Sequence, residues 1–208
     1  ILATLLLLKS ISLKPEYAYS SNYTRQNELD RNIFLSEAHI ALKRAIILKP
    51  AFPEAFNNLG LLFREYGYPE NAEKYFKSAI SIKTDFYEAF NNLGLILKEL
   101  ARFQEAEYYL RAGLKIKEDY PELHNNLAIV LKRAGKINEA EISLRRAIAL
   151  NGDYLEAYVN LAMLLIDLKR ISEAECCLNR ILSVYPDYPN AKFLNGALNL
   201  LLGNYVSG

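Results

Sequence analysis

The sequence predicts an all-α solenoid, a fold that stacks copies of one antiparallel helix pair. Three observations support this prediction. The tetrapeptide Asn-Asn-Leu-Gly at 57–60 recurs 34 residues later at 91–94. A third copy at 125–128 differs only in ending with alanine, and about eight apolar positions recur with the same period. A fixed period of this length is typical of stacked repeats and not of a chain folded around one closed core.

Four complete units, counted from position 1 at Pro53, cover residues 53–86, 87–120, 121–154 and 155–188. Positions 4, 7, 8 and 11 follow one face of an α-helix, which we name helix A. Positions 20, 24, 27 and 28 do the same for a second helix, helix B. The break between the two helices is expected near position 15, where two units have Gly67 and Gly135.

Small residues at positions 8, 20 and 27 allow the two helices of a pair to approach closely. Position 20 is alanine in every unit: Ala72, Ala106, Ala140 and Ala174. A large side chain at position 8 or 20 would overpack the crossing, at a typical cost of about 1–3 kcal/mol. Because one hairpin cannot bury its apolar face alone, neighbouring hairpins must stack.

The pattern continues weakly before Pro53. Residues 16–52 are expected to be a degenerate repeat, with a helix B at 36–49 and a poorly formed helix A within 16–34. Residues 1–15 are expected to be a helix B without its helix A. A clipped signal peptide is the alternative interpretation of the apolar run 1–8, which is too short to span a bilayer.

The pattern also continues after the fourth unit, where residues 189–208 are expected to supply a helix A alone. We therefore expect one solenoid over 1–208. Its terminal helices are apolar, whereas terminal repeats usually carry a polar outer face. This predicts either a longer parent protein or packing of the ends on another subunit.

These residues resemble the tetratricopeptide repeat family, whose 34-residue helix–turn–helix has an aromatic at position 4, Leu-Gly at 7–8 and alanine at 20 and 27. The match covers residues 53–188. The family's proline at position 32 is present as Pro50 and Pro186, but not in the units between. The resemblance implies a right-handed superhelix whose A helices line a concave groove, and a scaffold that binds proteins or peptides.

The composition narrows the function further. Lys and Arg number 25 against 24 Asp and Glu, a net charge of +1, which argues against nucleic-acid and anionic-membrane binding. The two cysteines, Cys176 and Cys177, are adjacent and cannot easily form an unstrained disulfide, which favours a reducing, cytoplasmic compartment. No catalytic grouping, metal-ligand spacing or cofactor motif is present in the sequence, so we expect neither an enzyme nor a bound cofactor.

The candidate binding residues lie opposite the 4/7/8/11 face of helix A, on a stripe of positions 2, 6, 9 and 13. Position 6 is always asparagine: Asn58, Asn92, Asn126 and Asn160. A side-chain amide has donors and an acceptor that can pair with the backbone of an extended peptide. Position 5 adds a flanking row, Asn57, Asn91 and Asn125, which Val159 interrupts. The array resembles the asparagine ladder in the superhelix of O-linked N-acetylglucosamine transferase, which holds protein substrates.

Leu61 and Leu95 at position 9, with Lys98 and Lys132 at position 12, complete the predicted peptide-binding site. Positions 2, 12 and 13 of the four units carry a net charge of −3. An acidic peptide is therefore not favoured. This includes the acidic tails of chaperones that some family members clamp, because the lysine and asparagine of that clamp are replaced here.

Other interpretations stay open. The asparagines could instead bridge helices within the stack, or could be copies left by repeat duplication. The leading function is a scaffold that binds an extended peptide in its groove. One alternative is the substrate-recruiting arm of a larger enzyme such as a glycosyltransferase. The other is a structural scaffold that forms homo-oligomers through its terminal helices.

Overall fold

The computed structural model of the chain describes the backbone of residues 25–201 and the side chains of residues 29–200. The described range contains ten α-helices and no strand, which confirms the predicted all-α class. The helices are α1 (Arg25–Leu48), α2 (Pro53–Glu65), α3 (Pro69–Ile82), α4 (Tyr87–Glu99), α5 (Phe103–Ile116), α6 (Pro121–Arg133), α7 (Ile137–Leu150), α8 (Leu155–Asp167), α9 (Ile171–Val184) and α10 (Pro189–Leu201). The chain divides into two compact units, Ile1–Arg102 and Phe103–Gly208. The helix expected at 1–15 lies outside the described residues.

Helix α1 differs from the helix pair expected before Pro53. It is continuous across the boundary expected between a helix A within 16–34 and a helix B at 36–49. The physical reason is that no glycine or proline interrupts residues 25–48. At the expected break, the Ser36 hydroxyl donates a hydrogen bond to the Ile33 carbonyl at 2.8 Å, a contact that a helical backbone accommodates.

The core of the first unit begins where α1 packs on α2. Its buried residues come from both helices: Leu35, Ala38, Leu42, Ala55, Leu59 and Leu62. In the next contact, between α2 and α3, Gly60 faces the fully buried ring of Phe76. A Cβ added to Gly60 would lie 2.5 Å from Cε1 of that ring. Position 8 of this repeat therefore leaves no room for a side chain.

The turn between helices A and B has the same backbone conformation in all four repeats. Position 15 has a positive φ of 78° at Gly67 and Gly135, 58° at Ala101 and 61° at Lys169. The amide that follows position 15 then donates back to the last turn of helix A, as in Arg170 N to Leu165 O at 2.9 Å. The turn was predicted from the two glycines. Ala101 and Lys169 adopt it as well, although a residue with a Cβ disfavours positive φ.

The second unit repeats the same helix pairs, with α6 packed on α7 and α8 on α9, and α10 after them. Small position-20 residues, Ala140 and Ala174, are fully buried, as are Leu131 and Leu165 at position 11. This unit therefore follows the predicted pattern of small residues at the crossings and large ones around them. No helix in the described part of the chain is long and apolar enough to cross a bilayer.

Candidate functional site

In the first unit, the two asparagine rows meet across neighbouring repeats. The side-chain amide of Asn92 on α4 donates a hydrogen bond to the carbonyl oxygen of Asn57 on α2, with an Nδ2–Oδ1 distance of 3.0 Å. Asn57 is 7% exposed and Asn92 is half-buried. Position 6 of one repeat is therefore bound to position 5 of the repeat before it.

The second unit contains the same contact. Asn160 on α8 donates from Nδ2 to Oδ1 of Asn125 on α6 at 2.8 Å. Asn125 is 4% exposed and also shares a hydrogen bond with the Tyr154 phenol. Burial raises the pKa of Tyr154 well above its usual value, and the nearby Glu122 carboxylate adds to the effect. Tyr154 therefore stays protonated, and Asn125 is held on two sides.

This bond leaves part of the Asn92 and Asn160 side-chain amides for another partner. A primary amide has two N–H donors and one carbonyl acceptor. The contact with Asn57 or Asn125 uses one N–H of Asn92 or Asn160, so the second N–H and the carbonyl retain their bonding capacity. The buried position-5 amide fixes the orientation of its half-buried neighbour. The arrangement can present an oriented donor and acceptor together.

The remaining predicted asparagines are more enclosed than the sequence suggested. Asn91 is 8% exposed and Asn126 is 9% exposed, whereas Asn58 is half-buried. All three have interaction partners in the structure. The two rows are thus not equivalent, because all three position-5 asparagines are buried and position 6 ranges from buried to half-buried.

In the second unit, the predicted stripe opens onto a hollow of about 490 Å³ formed by α6, α7 and α8. Asn160 lines it together with the two position-9 residues Ile129 and Met163. Met163 is 42% exposed, so an apolar surface lies beside the oriented amide. Lys132 also lines the hollow, and its Nζ forms an ion pair with Asp167 Oδ2 at 2.6 Å.

In the first unit, the predicted residues are less accessible. Leu61 packs against the core formed by α1 and α2, and Leu95 is half-buried. Lys98 is also half-buried, and burial lowers its pKa. At the same end of the A helices, Arg64 forms an ion pair with Glu99 at 2.6 Å. As with Lys132 and Asp167, opposite charges at positions 12 and 13 pair within the protein.

The sequence reasoning missed an ion-pair network on the B helices. Glu141 binds Arg145 at 2.8 Å and Arg170 at 2.6 Å, and Glu173 binds the same two arginines at 2.9 and 2.7 Å. The four charges close a ring between α7 and α9, and Arg170 and Arg145 hold the pKa of the Glu141 carboxyl below its usual value. Two other glutamates at position 21 make equivalent pairs: Glu73 with Lys77 and Arg102, and Glu107 with Arg111 and Lys136. The recurrence of these glutamates every 34 residues could have revealed the network from the sequence.

The cysteines are free, with Cys176 exposed and Cys177 half-buried. Burial raises the pKa of the Cys177 thiol to about 11, so this thiol is protonated at neutral pH. Over the side chains that the structure describes, no group of three His, Cys, Asp or Glu residues is placed to hold a metal ion.

Stacked helix pairs of this kind define the class of helical-repeat solenoid proteins. Models of the tetratricopeptide repeat match residues 53–86, 88–119 and 133–198. Together they cover more than half of the sequence, and the chain belongs to the tetratricopeptide repeat family. The resemblance predicted from residues 53–188 is therefore confirmed. A search of curated proteins gave no match.

Solved structures show the same solenoid fold. TTC0263, a tetratricopeptide repeat protein of Thermus thermophilus, is 20% identical with a TM-score of 0.73, and the match covers 95% of this chain and 99% of that one. PilW, a type IV pilus biogenesis factor, is 20% identical with a TM-score of 0.77, covering 97% and 86%. YrrB, a tetratricopeptide repeat protein with an unusual peptide-binding site, is 20% identical with a TM-score of 0.63, covering 80% and 86%. At these identities the likeness is one of fold.

Proposed function

We propose that this chain binds an extended segment of a partner protein on the A-helix face, in a concave groove, and that the position-6 asparagines hold the backbone of that segment. The observation that carries the proposal is the hydrogen-bonded pair Asn125–Asn160 beside the hollow lined by Ile129 and Met163. A buried amide orients a half-buried one, and apolar surface lies next to it. This combination suits a backbone contact with a neighbouring side-chain pocket.

The spacing of the repeats suits one ligand conformation. The A helices α6 and α8 are in contact, and packed helices lie about 8–10 Å apart. A polyproline II peptide advances about 3.1 Å per residue and completes a turn in three residues. It therefore presents the same backbone face after about 9 Å, as each new repeat requires. Within each unit, the position-6 residues of neighbouring repeats would therefore face ligand residues about three apart.

The charge of the face favours a basic ligand. Positions 2, 12 and 13 of the four repeats carry a net charge of −3. Glu54 and Glu156 at position 2 are exposed, so their carboxylates can attract a cationic side chain of a ligand. We therefore propose a segment with lysine or arginine, and we place the interaction in the cytoplasm on the strength of the free, adjacent cysteines.

The first experiment measures peptide affinity by fluorescence anisotropy, with two labelled 12-residue unstructured peptides that differ only in carrying lysine or glutamate. The lysine peptide should bind better. The double variant Asn92→Ala/Asn160→Ala should weaken its binding by roughly fivefold to a hundredfold, because each lost hydrogen bond contributes about 0.5–1.5 kcal/mol. The matched control is Asn71→Ala/Asn179→Ala, which removes two exposed asparagines from B helices. Equal losses in both double variants, or no loss in the first, would contradict the proposal.

A second experiment locates the ligand without relying on affinity. A photo-crosslinking amino acid replaces Met163 in the hollow or, as a control, Ile142, which is 68% exposed on the B helix α7. The lysine peptide should crosslink at 163 and not at 142. Crosslinking at 142 alone would place the ligand on the opposite side of the helix pair.

A further inference from the structure

Helix α1 has a second apolar face that none of the described residues of the first unit covers. Its buried face, formed by Leu35, Ala38 and Leu42, packs on α2. On the opposite side lies a stripe of large exposed residues: Leu29 at 54%, Ile33 at 44%, Ile40 at 56% and Ile47 at 77%. A helix that is apolar on opposite sides is suited to burial between two neighbours. The first neighbour is α2.

The stripe has the spacing of a helix–helix seam. Ile33, Ile40 and Ile47 are separated by seven residues, and Leu29 precedes the first by four. A seven-residue repeat keeps apolar residues on one line facing a partner helix. At 1.5 Å per residue, the stripe from Leu29 to Ile47 is about 27 Å long.

The charges beside the stripe are divided along the helix. Asp30 and Glu37 lie in its N-terminal part, whereas Lys43, Arg44 and Lys49 lie in or just after its C-terminal part. Glu37 and Arg44 are both exposed and flank the stripe on the same side, because seven residues separate them. Neither forms an ion pair with any residue that the structure describes. The helix is therefore acidic at one end and basic at the other along its exposed face.

We propose that α1 is a dimerisation helix that pairs in antiparallel orientation with α1 of a second copy of this chain. With Ile40 at the two-fold axis, Ile33 of one copy lies opposite Ile47 of the other. Glu37 then falls beside Arg44 of the second copy, and the symmetry makes this pair twice. The same stripe and the same charges therefore complement themselves, as a two-fold interface requires.

A parallel pair does not have this complementarity. It would place Glu37 level with Glu37 and Arg44 level with Arg44, so that like charges flank the seam. The antiparallel pair also sets the two helix dipoles in opposite directions. A single helix face buries less area than the roughly 1,200–2,000 Å² of a standard stable interface. The dimer is therefore concentration-dependent.

This inference does not rest on the proposed peptide site, because α1 contributes none of the residues assigned to it. Sedimentation equilibrium of the full 208-residue chain from 5 to 500 µM tests it. The average mass should rise from 23.7 kDa towards twice that value. Ile40→Glu should abolish this rise while leaving the far-UV circular dichroism unchanged, because Ile40 lies outside the core. The matched control Ile142→Glu changes another exposed isoleucine, on α7, and should dimerise like the unmodified chain.

A charge exchange tests the orientation. Glu37→Lys alone and Arg44→Glu alone should each weaken the dimer at least threefold. The double variant Glu37→Lys/Arg44→Glu should return to within twofold of the unmodified chain, since each changed residue then meets the other across the axis. A chain that stays monomeric at 500 µM overturns the proposal, as does a dimer that survives Ile40→Glu. The proposal is also overturned if Ile40→Glu loses helicity while its average mass stays equal to that of the unmodified chain. The stripe would then be covered by residues of the same chain.

Discussion

Replacing Gly60 by alanine tests the close crossing of α2 and α3. The added methyl group would lie 2.5 Å from Cε1 and 2.6 Å from Cδ1 of Phe76. Phe76 is fully buried, so its ring cannot turn aside and the helices must separate. Overpacking of this kind costs about 1–3 kcal/mol. The better helix propensity of alanine returns about 1 kcal/mol. We expect Gly60→Ala to lower the free energy of unfolding by roughly 1 kcal/mol, against the propensity trend.

A compensating change separates the steric effect from other causes. In the third repeat, alanine at position 8 coexists with leucine at position 24, as Ala128 and Leu144. In a Phe76→Leu background, Gly60→Ala should therefore become stabilising by up to about 1 kcal/mol. Ala128→Gly is the matched control, and it should cost about 1 kcal/mol because no clash is relieved. The difference between the effects of Gly60→Ala in the two backgrounds is the coupling energy of a double-mutant cycle.

The assay is urea unfolding followed by circular dichroism at 222 nm, compared through the midpoint urea concentration. Helical repeats can unfold in steps, so amide hydrogen exchange across residues 53–82 provides the local measurement. A higher midpoint for Gly60→Ala in the unmodified chain would contradict a steric clash at this crossing. The same effect with and without Phe76→Leu would contradict it as well.

Three further predictions concern the turns, the histidines and the buried amides. Lys169→Gly should stabilise the chain by about 0.5–1 kcal/mol in urea unfolding, because φ at Lys169 is 61°, and a lowered midpoint would contradict this. Burial lowers the pKa of His124 in the folded chain. On acidification the unfolded chain therefore binds a proton first, near pH 6.5, and the free energy of unfolding should fall as the pH drops from 6.5 through the lower pKa of the folded chain. His124→Tyr should reduce the loss of stability between pH 7.5 and 5.5. Part of the loss should remain, because the pKa of His39 is lowered as well. An unchanged dependence of stability on pH would exclude His124 as a cause. Asn125→Ala should cost about 1–3 kcal/mol, since it leaves a donor of the next repeat unpaired, and a neutral effect would show that the pair is dispensable.

The repeating part of the fold was predictable because every repeat has the same residue types at the positions where its helices pack. Positions 8 and 20 carry small residues in all four units, and the structure buries Ala72, Ala106, Ala140 and Ala174 at position 20. The first helix was not predictable in the same way. The weak continuation of the pattern before Pro53 suggested a helix pair, whereas residues 25–48 contain no glycine or proline to end a helix. The positive φ at Ala101 and Lys169 was also hidden, since packing of the flanking helices imposes a turn that these residues do not favour.

The candidate site was predictable only in part. The position-6 row followed from the period alone. The bond from Asn92 to Asn57 did not, because it depends on the offset between adjacent A helices, which no spacing within one repeat specifies. The charge ring around Glu141 could have been found, since glutamate at position 21 and a basic residue at position 25 recur together in three repeats.

Methylation of backbone amides in the ligand tests most directly whether the position-6 asparagines form hydrogen bonds with the ligand's main chain. A series of the 12-residue lysine peptide, each with one N-methylated amide, would be titrated into the unmodified chain and into Asn92→Ala/Asn160→Ala. We expect affinity to fall for the peptides methylated at the amides that face Asn92 and Asn160, and this loss to disappear in the variant. Affinity that is indifferent to N-methylation, or the same pattern of loss in both proteins, would contradict a main-chain contact by these asparagines.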